Sequence, residues 1–117
     1  GKGIGLRFLR HIERNSSLLF MIPADADDII KEYKILLNEL DQFNPELLHK
    51  KRILAISKCD MLDEELLAEM KKDINKRFKD KKTVPVHYIS AQTGQGIVEL
   101  KDEIWKQLNE KEKEFDY

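Results

Sequence analysis

The sequence has 117 residues, the length of one domain that can bury a substantial core. Its 21 Lys and Arg residues nearly balance 22 Asp and Glu residues, which gives a formal charge of −1. That balance argues against a dedicated nucleic-acid module, which usually carries a strong basic excess, but it leaves room for a local basic patch. No apolar run approaches the ~20 residues of a membrane span, so we predict no membrane partner. A single cysteine, Cys59, excludes an internal disulfide and fits a reducing, cytoplasmic compartment.

The first half of the chain alternates helical and strand patterns. Residues 5–13 place apolar side chains on one stripe, which predicts an amphipathic helix. Residues 18–23 form a continuous apolar run that ends in proline, typical of a strand buried on both faces. Acidic residues then cap a helix predicted to reach Phe43, and Asn44 followed by Pro45 predicts a short further helix.

The second half repeats this alternation. Residues 53–56 and 86–89 are predicted to be buried strands. Between them, Asp63 is placed to open a helix with one apolar side. That side comprises Leu66, Leu67, Met70, Ile74 and Phe78. Gly94 and Gly96 then interrupt the chain before a last helix.

The last helix is predicted to pack through Ile97, Leu100, Ile104 and Leu108. We assign Trp105, beside this stripe, and Phe78 to the core, and we predict that the charged residues 110–117 fray as a tail. Strands that alternate with helices imply right-handed crossovers, a parallel sheet and a three-layer α/β fold. Three strands give two edges for one middle strand, and edges invite pairing. We therefore expect further strands upstream, and self-association of this part of the chain on its own.

Polar residues follow two of the predicted strands, at the carboxyl ends of the strands, where open parallel sheets bind their ligands. One loop reads Ser-Lys-Cys-Asp at residues 57–60, and the other begins Ser-Ala-Gln at residues 90–92. Guanine presents two parallel donors, which the carboxylate of Asp60 can accept as a fork, whereas adenine would leave the carboxylate unpaired. The candidate guanine-binding residues are Ser57, Lys58, Asp60, Ser90, Ala91 and Gln92.

Each remaining candidate has a physical role. A backbone N–H in the turn at residues 90–92 can donate to the guanine O6. The aliphatic stem of Lys58 can lie across the base while its ammonium stays in water.

Cys59 has no histidine placed to activate it, so we interpret it as a variable position and not as a nucleophile. The histidines are scattered and lie at no zinc-site spacing, so we assign no metal.

These residues resemble two motifs of the translation-factor-like GTPases. Residues 57–60 resemble the Asn-Lys-x-Asp motif, and residues 90–92 resemble the Ser-Ala-x motif. The opening sequence GKGIGLRFLRHIER looks like the stretch just after the second switch of the Obg GTPases. The sequences NPELL, which begins at Asn44, and QTGQG, which begins at Gln92, look like theirs too. The resemblance covers residues 1–109 and identifies them as the C-terminal portion of an Obg-type GTP-binding domain.

The resemblance implies a partial Ras-like P-loop fold whose intact parent hydrolyses GTP with Mg²⁺ and acts in assembly of the large ribosomal subunit. Two residues depart from the motifs. Ser57 stands where the motif has Asn, which bears on affinity more than on specificity. Gln92 stands where an apolar residue is usual, which is tolerable if the Ala91 amide is the contact. The sequence also contains no G-x-x-x-x-G-K-[ST] phosphate loop. We expect that loop and both switches upstream. We therefore expect these 117 residues alone to hold neither GTP nor GDP tightly and to be catalytically inactive.

Two other classes of function stay open. Arg7, Arg10 and Arg14 could make an RNA- or ribosome-binding face, although a solvated helix face is the plainer interpretation. A receiver-like signalling domain also has polar residues at the ends of parallel strands. It requires an acidic pair after the first strand. Asp25 and then Asp27 follow that strand here, but no acceptor aspartate has the expected strand order.

Overall fold

The computed structural model describes residues 17–115, with side chains through Gln107. The helix predicted at residues 5–13 lies outside the described residues, as do Arg7, Arg10 and Arg14 of the proposed RNA face.

The described residues contain a three-stranded parallel sheet in the order β1-β2-β3. Strand β1 is Ser17–Pro23, β2 is Lys51–Ser57 and β3 is Val86–Tyr88. The first and last paired positions of β1 and β2 are Ser17 with Lys51 and Pro23 with Ser57, so the two strands match along their whole length. The predicted parallel α/β architecture is confirmed, with a third strand shorter than the sequence suggested.

Three α-helices connect and follow the strands within residues 17–115: α1 is Ile29–Phe43, α2 is Glu64–Arg77 and α3 is Ile97–Phe115. Two short 3₁₀ helices, Pro45–His49 and Cys59–Met61, lie before and after β2. None of the helices in the described part of the chain is long and apolar enough to span a membrane.

The helix starts follow from local chemistry. Asp28 Oδ1 accepts from the N–H of Lys31 at 3.2 Å, and Asp63 Oδ1 accepts from the N–H of Leu66 at 2.8 Å. Each carboxylate satisfies one of the backbone donors that a helix leaves unpaired in its first turn. Asn44 does the same for the first 3₁₀ helix. These caps confirm the predicted starting points.

Helices cover both faces of the sheet, which makes three layers. On one face, α1 and α2 bury alternate residues of β1 with Leu54 and Ile56 of β2. On the other face, α3 packs through Leu100 against Ile53 and Ala55. Strand β2 is buried on both faces because it is the middle strand, as its continuous apolar run predicted.

The prediction that β1 is buried on both faces is wrong. Successive side chains of a strand point to opposite faces, and only one face of β1 meets α1 and α2. Leu19 and Met21, on the other face, are 42% and 52% exposed. The apolar run therefore predicted the strand correctly. Its prediction that both faces are buried is incorrect, because no other part of the described chain covers the second face.

Two helical assignments to the core are also wrong, for the same geometric reason. Trp105 is 66% exposed because it lies one residue beyond Ile104 and so about 100° around α3 from the buried stripe. Leu66 is 50% exposed, one position before Leu67, which packs on the core. Phe78 is buried as predicted. The predicted frayed end is helical through Phe115, because Glu and Lys are good helix formers.

An aromatic cluster joins α1 to the turn before β3. The ring of Tyr33 lies edge-on to Phe20 and Phe78, with centroids 5.5 and 4.9 Å away. Its hydroxyl donates to Asp80 Oδ2 at 3.0 Å, and Arg52 lies 3.7 Å from the same oxygen. Burial raises the pKa of Tyr33, so the hydroxyl stays a donor at neutral pH. This contact fixes the position of the turn that leads into β3.

Candidate functional site

The candidate site begins where β2 ends. Lys58 is exposed and has φ 59° and ψ 32°, a left-handed conformation in which no other non-glycine residue of the described chain is found. This conformation turns the backbone sharply into the second 3₁₀ helix, where the N–H of Met61 donates to Lys58 O at 3.0 Å. As a result, Asp60 projects from the carboxyl edge of the sheet and stays exposed. The left-handed residue is a sign of strain of the kind that clusters at ligand sites.

Cys59 anchors this turn to the neighbouring strand. Its side chain is only 1% exposed, and its backbone N–H donates to Ile89 O at 3.0 Å. The thiol donates to Ile56 O at 3.2 Å. Burial raises the pKa of the Cys59 thiol, so the group stays protonated and is not a nucleophile. The sequence interpretation as a variable position missed this anchoring role.

Ser90 links the two loops. It is fully buried, and its hydroxyl donates to Asp60 Oδ1 at 2.8 Å. The hydroxyl oxygen of Ser90 also accepts from the N–H of Thr93 at 3.2 Å, so the hydroxyl has a partner on each side. Ser90 therefore holds the carboxylate of Asp60 in one orientation. Within residues 17–107, no hydrogen bond or ion pair involves the second oxygen of Asp60, Oδ2.

The loop after β3 closes on itself. The N–H of Ser90 donates to Gln95 O at 2.9 Å, and the N–H of Gly94 donates to Ser90 O at 2.9 Å. These bonds leave Ala91 and Gln92 exposed at the tip. Their backbone N–H groups make no hydrogen bond to any residue of the described chain. The tip thus offers the backbone N–H groups of Ala91 and Gln92 as donors, in the loop whose Ser90 holds the acceptor carboxylate of Asp60.

Gly96 allows the loop to lie against the end of β3. It has φ 73°, and a Cβ atom there would come within 2.2 Å of Tyr88 O. Only glycine fits that close approach without displacing backbone. Gly94 also has a positive φ, 82°, but an added Cβ would meet nothing within 4 Å. Gly96 is therefore the glycine that determines where the loop lies.

The six candidate residues thus come from two adjacent strand ends, as the topology predicted. Asp60 and Ser90 are in direct contact, Lys58 is exposed, and Ser57 is half-buried at the end of β2. The N–H of Ala24 donates to Ser57 O at 2.8 Å, which holds this strand end to the end of β1. The arrangement can pair with a flat polar ligand that presents two donors next to an acceptor. Among the described residues, His, Cys, Asp and Glu form no group of three or more that could hold a metal ion.

A protein-family model matches residues 40–110, and its description is the elongation factor Tu GTP binding domain. The matched segment contains β2, β3 and both loops of the site. This chain belongs to that family of translation-factor-like GTPase domains.

Individual relatives carry a more specific name. The chain is 61% identical over 109 residues to the GTPase Obg of Flavobacterium psychrophilum, covering 93% of this chain and 32% of the relative. It is 62% identical over 109 residues to the GTPase Obg of Parabacteroides distasonis, covering 93% and 27%. With the GTPase Obg of Cytophaga hutchinsonii it shares 57% over 115 residues, covering 98% and 32%. The resemblance to the Obg GTPases inferred from the sequence is confirmed, and the chain spans about a third or less of these curated relatives.

Proposed function

We propose that the two loops bind the guanine base of GTP or GDP. The observation that carries the proposal is the 2.8 Å bond from Ser90 to Asp60 Oδ1. It presents an oriented carboxylate whose second oxygen makes no hydrogen bond or ion pair within the described residues. In this proposal both oxygens accept from the ligand, Oδ1 while it keeps the Ser90 hydroxyl, since a carboxylate oxygen has more than one lone pair.

Selectivity for guanine follows from which groups would be left unpaired. The N1–H and the exocyclic amino group of guanine satisfy the carboxylate, and the Ala91 or Gln92 N–H donates to O6. Adenine has no donor pair there and would leave Asp60 Oδ2 desolvated and without a partner. Leaving a charged group in that state costs more than the ~1–3 kcal/mol of a neutral one, which corresponds to tenfold or more in affinity.

The other candidates have supporting roles in this proposal. The exposed Lys58 lies at the start of the turn, where its stem can cover one face of the base. Gln92 is exposed at the loop tip, so only its backbone is needed and its polar side chain is compatible with the site. Ser57 is too short for the two-ended contact of the usual asparagine, which lowers affinity more than selectivity.

The Ser90→Ala variant of the full-length protein tests whether the hydrogen bond from Ser90 to Asp60 supports guanine binding. It removes the hydroxyl that orients Asp60, so we expect guanine-nucleotide affinity to fall about tenfold, or ~1.4 kcal/mol, slightly less than the ~1.5–3 kcal/mol of a hydrogen bond to a charged group. Titration calorimetry with GDP measures this.

The matched control is Thr83→Ala, which removes a hydroxyl that donates to Asp80 O at 3.3 Å at the other end of the strands. We expect this control to keep its affinity for GDP. Equal affinities in both variants and in the unaltered protein would remove Ser90 from the site.

Further proposals come from the resemblance. Residues 1–109 are proposed as the C-terminal portion of a GTP-binding domain, and residues 110–117 as a charged tail. The intact protein is proposed to hydrolyse GTP with Mg²⁺, to act with the large ribosomal subunit and to work in the cytoplasm. The described residues provide no carboxylate cluster for Mg²⁺, so we assign none of them to a metal-dependent step.

Self-association of this part of the chain is also proposed. Strand β1 pairs only with β2 among the described residues, and its exposed Leu19 and Met21 lie beside that free edge. An unpaired edge next to apolar side chains favours pairing with another strand.

A further inference from the structure

One stretch departs sharply from the overall charge balance of the chain. Residues 71–82, KKDINKRFKDKK, contain seven basic and two acidic residues, a net charge of +5 in a chain of net charge −1. The stretch includes the second half of α2 and the turn that leads to β3. Since α2 runs back from the carboxyl end of β2 to the start of β3, residues 76–82 lie toward the opposite end of the strands from Asp60.

Much of this positive charge is not neutralised. Arg77 is satisfied by Asp28 and Asp73, each at 3.0 Å. Four further side chains are exposed and form no ion pair within the described part of the chain: Lys72, Lys76, Lys79 and Lys82. Four free ammonium groups within twelve residues repel one another, so this arrangement favours an anionic partner.

A hollow that is lined in part by the half-buried ring of Tyr88 adjoins these lysines. Its volume is about 340 Å³, and its lining includes Phe78, Val86 and Tyr88 together with Lys71 and Lys81. The Lys71 ammonium lies 5.2 Å from the centre of the Tyr88 ring. An accessible aromatic ring among cations is a combination that binds single-stranded nucleic acids, since phosphates meet the cations and a base meets the ring.

We propose that residues 71–82 with Tyr88, the lysine surface, bind the backbone of a single-stranded nucleic acid. The hollow can accept an unpaired base, which a duplex does not expose. An anionic membrane is a poorer match, because interfacial helices need large apolar side chains beside the cations. None of the exposed large apolar residues of the described chain lies between residues 71 and 88.

A variant of the full-length protein in which four lysines become uncharged tests the proposal. It combines Lys72→Gln, Lys76→Gln, Lys79→Gln and Lys82→Gln. Binding of a fluorescent oligouridine is measured by anisotropy over a series of salt concentrations. We expect affinity to fall about tenfold or more near 0.1 M salt. The dependence of log affinity on log salt should flatten by ~0.7 for each phosphate that the variant no longer neutralises.

The control carries the same change in net charge elsewhere. It combines Lys31→Gln, Lys34→Gln, Lys101→Gln and Lys106→Gln, all exposed positions on α1 and α3. We expect it to keep the oligouridine affinity and salt dependence of the unaltered protein. Both variants should bind GDP with the affinity of the unaltered protein. The GDP measurement therefore distinguishes an error about the lysine surface from an error about the guanine site.

Several results would overturn the proposal. Equal losses of affinity in the two variants, or no loss in either, would mean that the lysine surface is not the binding surface. Competition by polyglutamate as strong as competition by oligouridine would assign the surface to an acidic protein. Binding to phosphatidylserine vesicles in preference to oligouridine would assign it to a membrane, and equal affinity for an RNA duplex would remove the single-strand assignment.

Discussion

Asp60→Asn is expected to weaken binding of GDP and GTP by about 100-fold, or ~2.7 kcal/mol, in the full-length protein. Asparagine replaces one of two acceptors with a donor, which then faces a donor of guanine. Hydrogen bonds to charged groups are worth ~1.5–3 kcal/mol, and an opposed donor adds repulsion. Xanthine carries a carbonyl where guanine has its amino group, so the same variant should gain affinity for xanthosine diphosphate. Titration calorimetry with both nucleotides measures the switch.

Asp63→Asn is the matched control for that experiment. It makes the same chemical change three residues later, at a carboxylate that caps α2 by accepting from Leu66 N at 2.8 Å. Asparagine caps helices as well as aspartate, so stability and GDP affinity should both stay near those of the unaltered protein. If Asp60→Asn changes neither GDP nor xanthosine diphosphate affinity, Asp60 does not bind the base.

Gly96→Ala is expected to lower the free energy of unfolding by about 2 kcal/mol or more. A left-handed φ costs a residue with a Cβ ~1–2 kcal/mol, and the new Cβ would lie 2.2 Å from Tyr88 O unless the backbone moves. The loop that bears Ser90 then shifts, so GDP affinity should fall as well. Thermal and urea unfolding measure the first effect, and calorimetry measures the second.

Gly94→Ala separates the two costs of Gly96→Ala, which are the left-handed φ and the contact of the new Cβ with Tyr88 O. Its φ of 82° imposes a similar conformational penalty, but a Cβ there meets nothing within 4 Å. We therefore expect a loss of only ~1 kcal/mol and an almost unchanged affinity for GDP. Equal destabilisation by the two substitutions would show that contact with Tyr88 is not what fixes the loop.

Much of the fold could be predicted from the sequence because its signals are local. Asp28 and Asp63 cap helices through their own neighbours, and the apolar run of β2 reflects its central position. One error came from packing between elements, because the sequence alone does not show that the second face of β1 has no described cover. The other came from overlooking helical spacing, which places Trp105 one residue beyond Ile104 and so off the stripe of α3.

The candidate site divides in the same way. The two loops could be placed at one sheet edge because parallel strands put their carboxyl ends together. The bond from Ser90 to Asp60 joins residues 30 positions apart, and no local pattern indicates it. The left-handed Lys58 also lacked a signal, because such positions are usually marked by glycine or asparagine. Cys59 could have been recognised from its place as a small apolar residue between exposed polar ones.

The central claim is that residues 57–60 and 90–92 bind guanine, and amide NMR of the full-length protein tests it most directly. GDP is titrated into the labelled protein, with ADP as the matched ligand that differs in its base. We predict that the N–H signals of Lys58, Asp60, Ala91 and Gln92 shift with GDP and stay unchanged with ADP. Equal shifts with both nucleotides, or shifts with GDP that leave these four signals in place, would contradict the account.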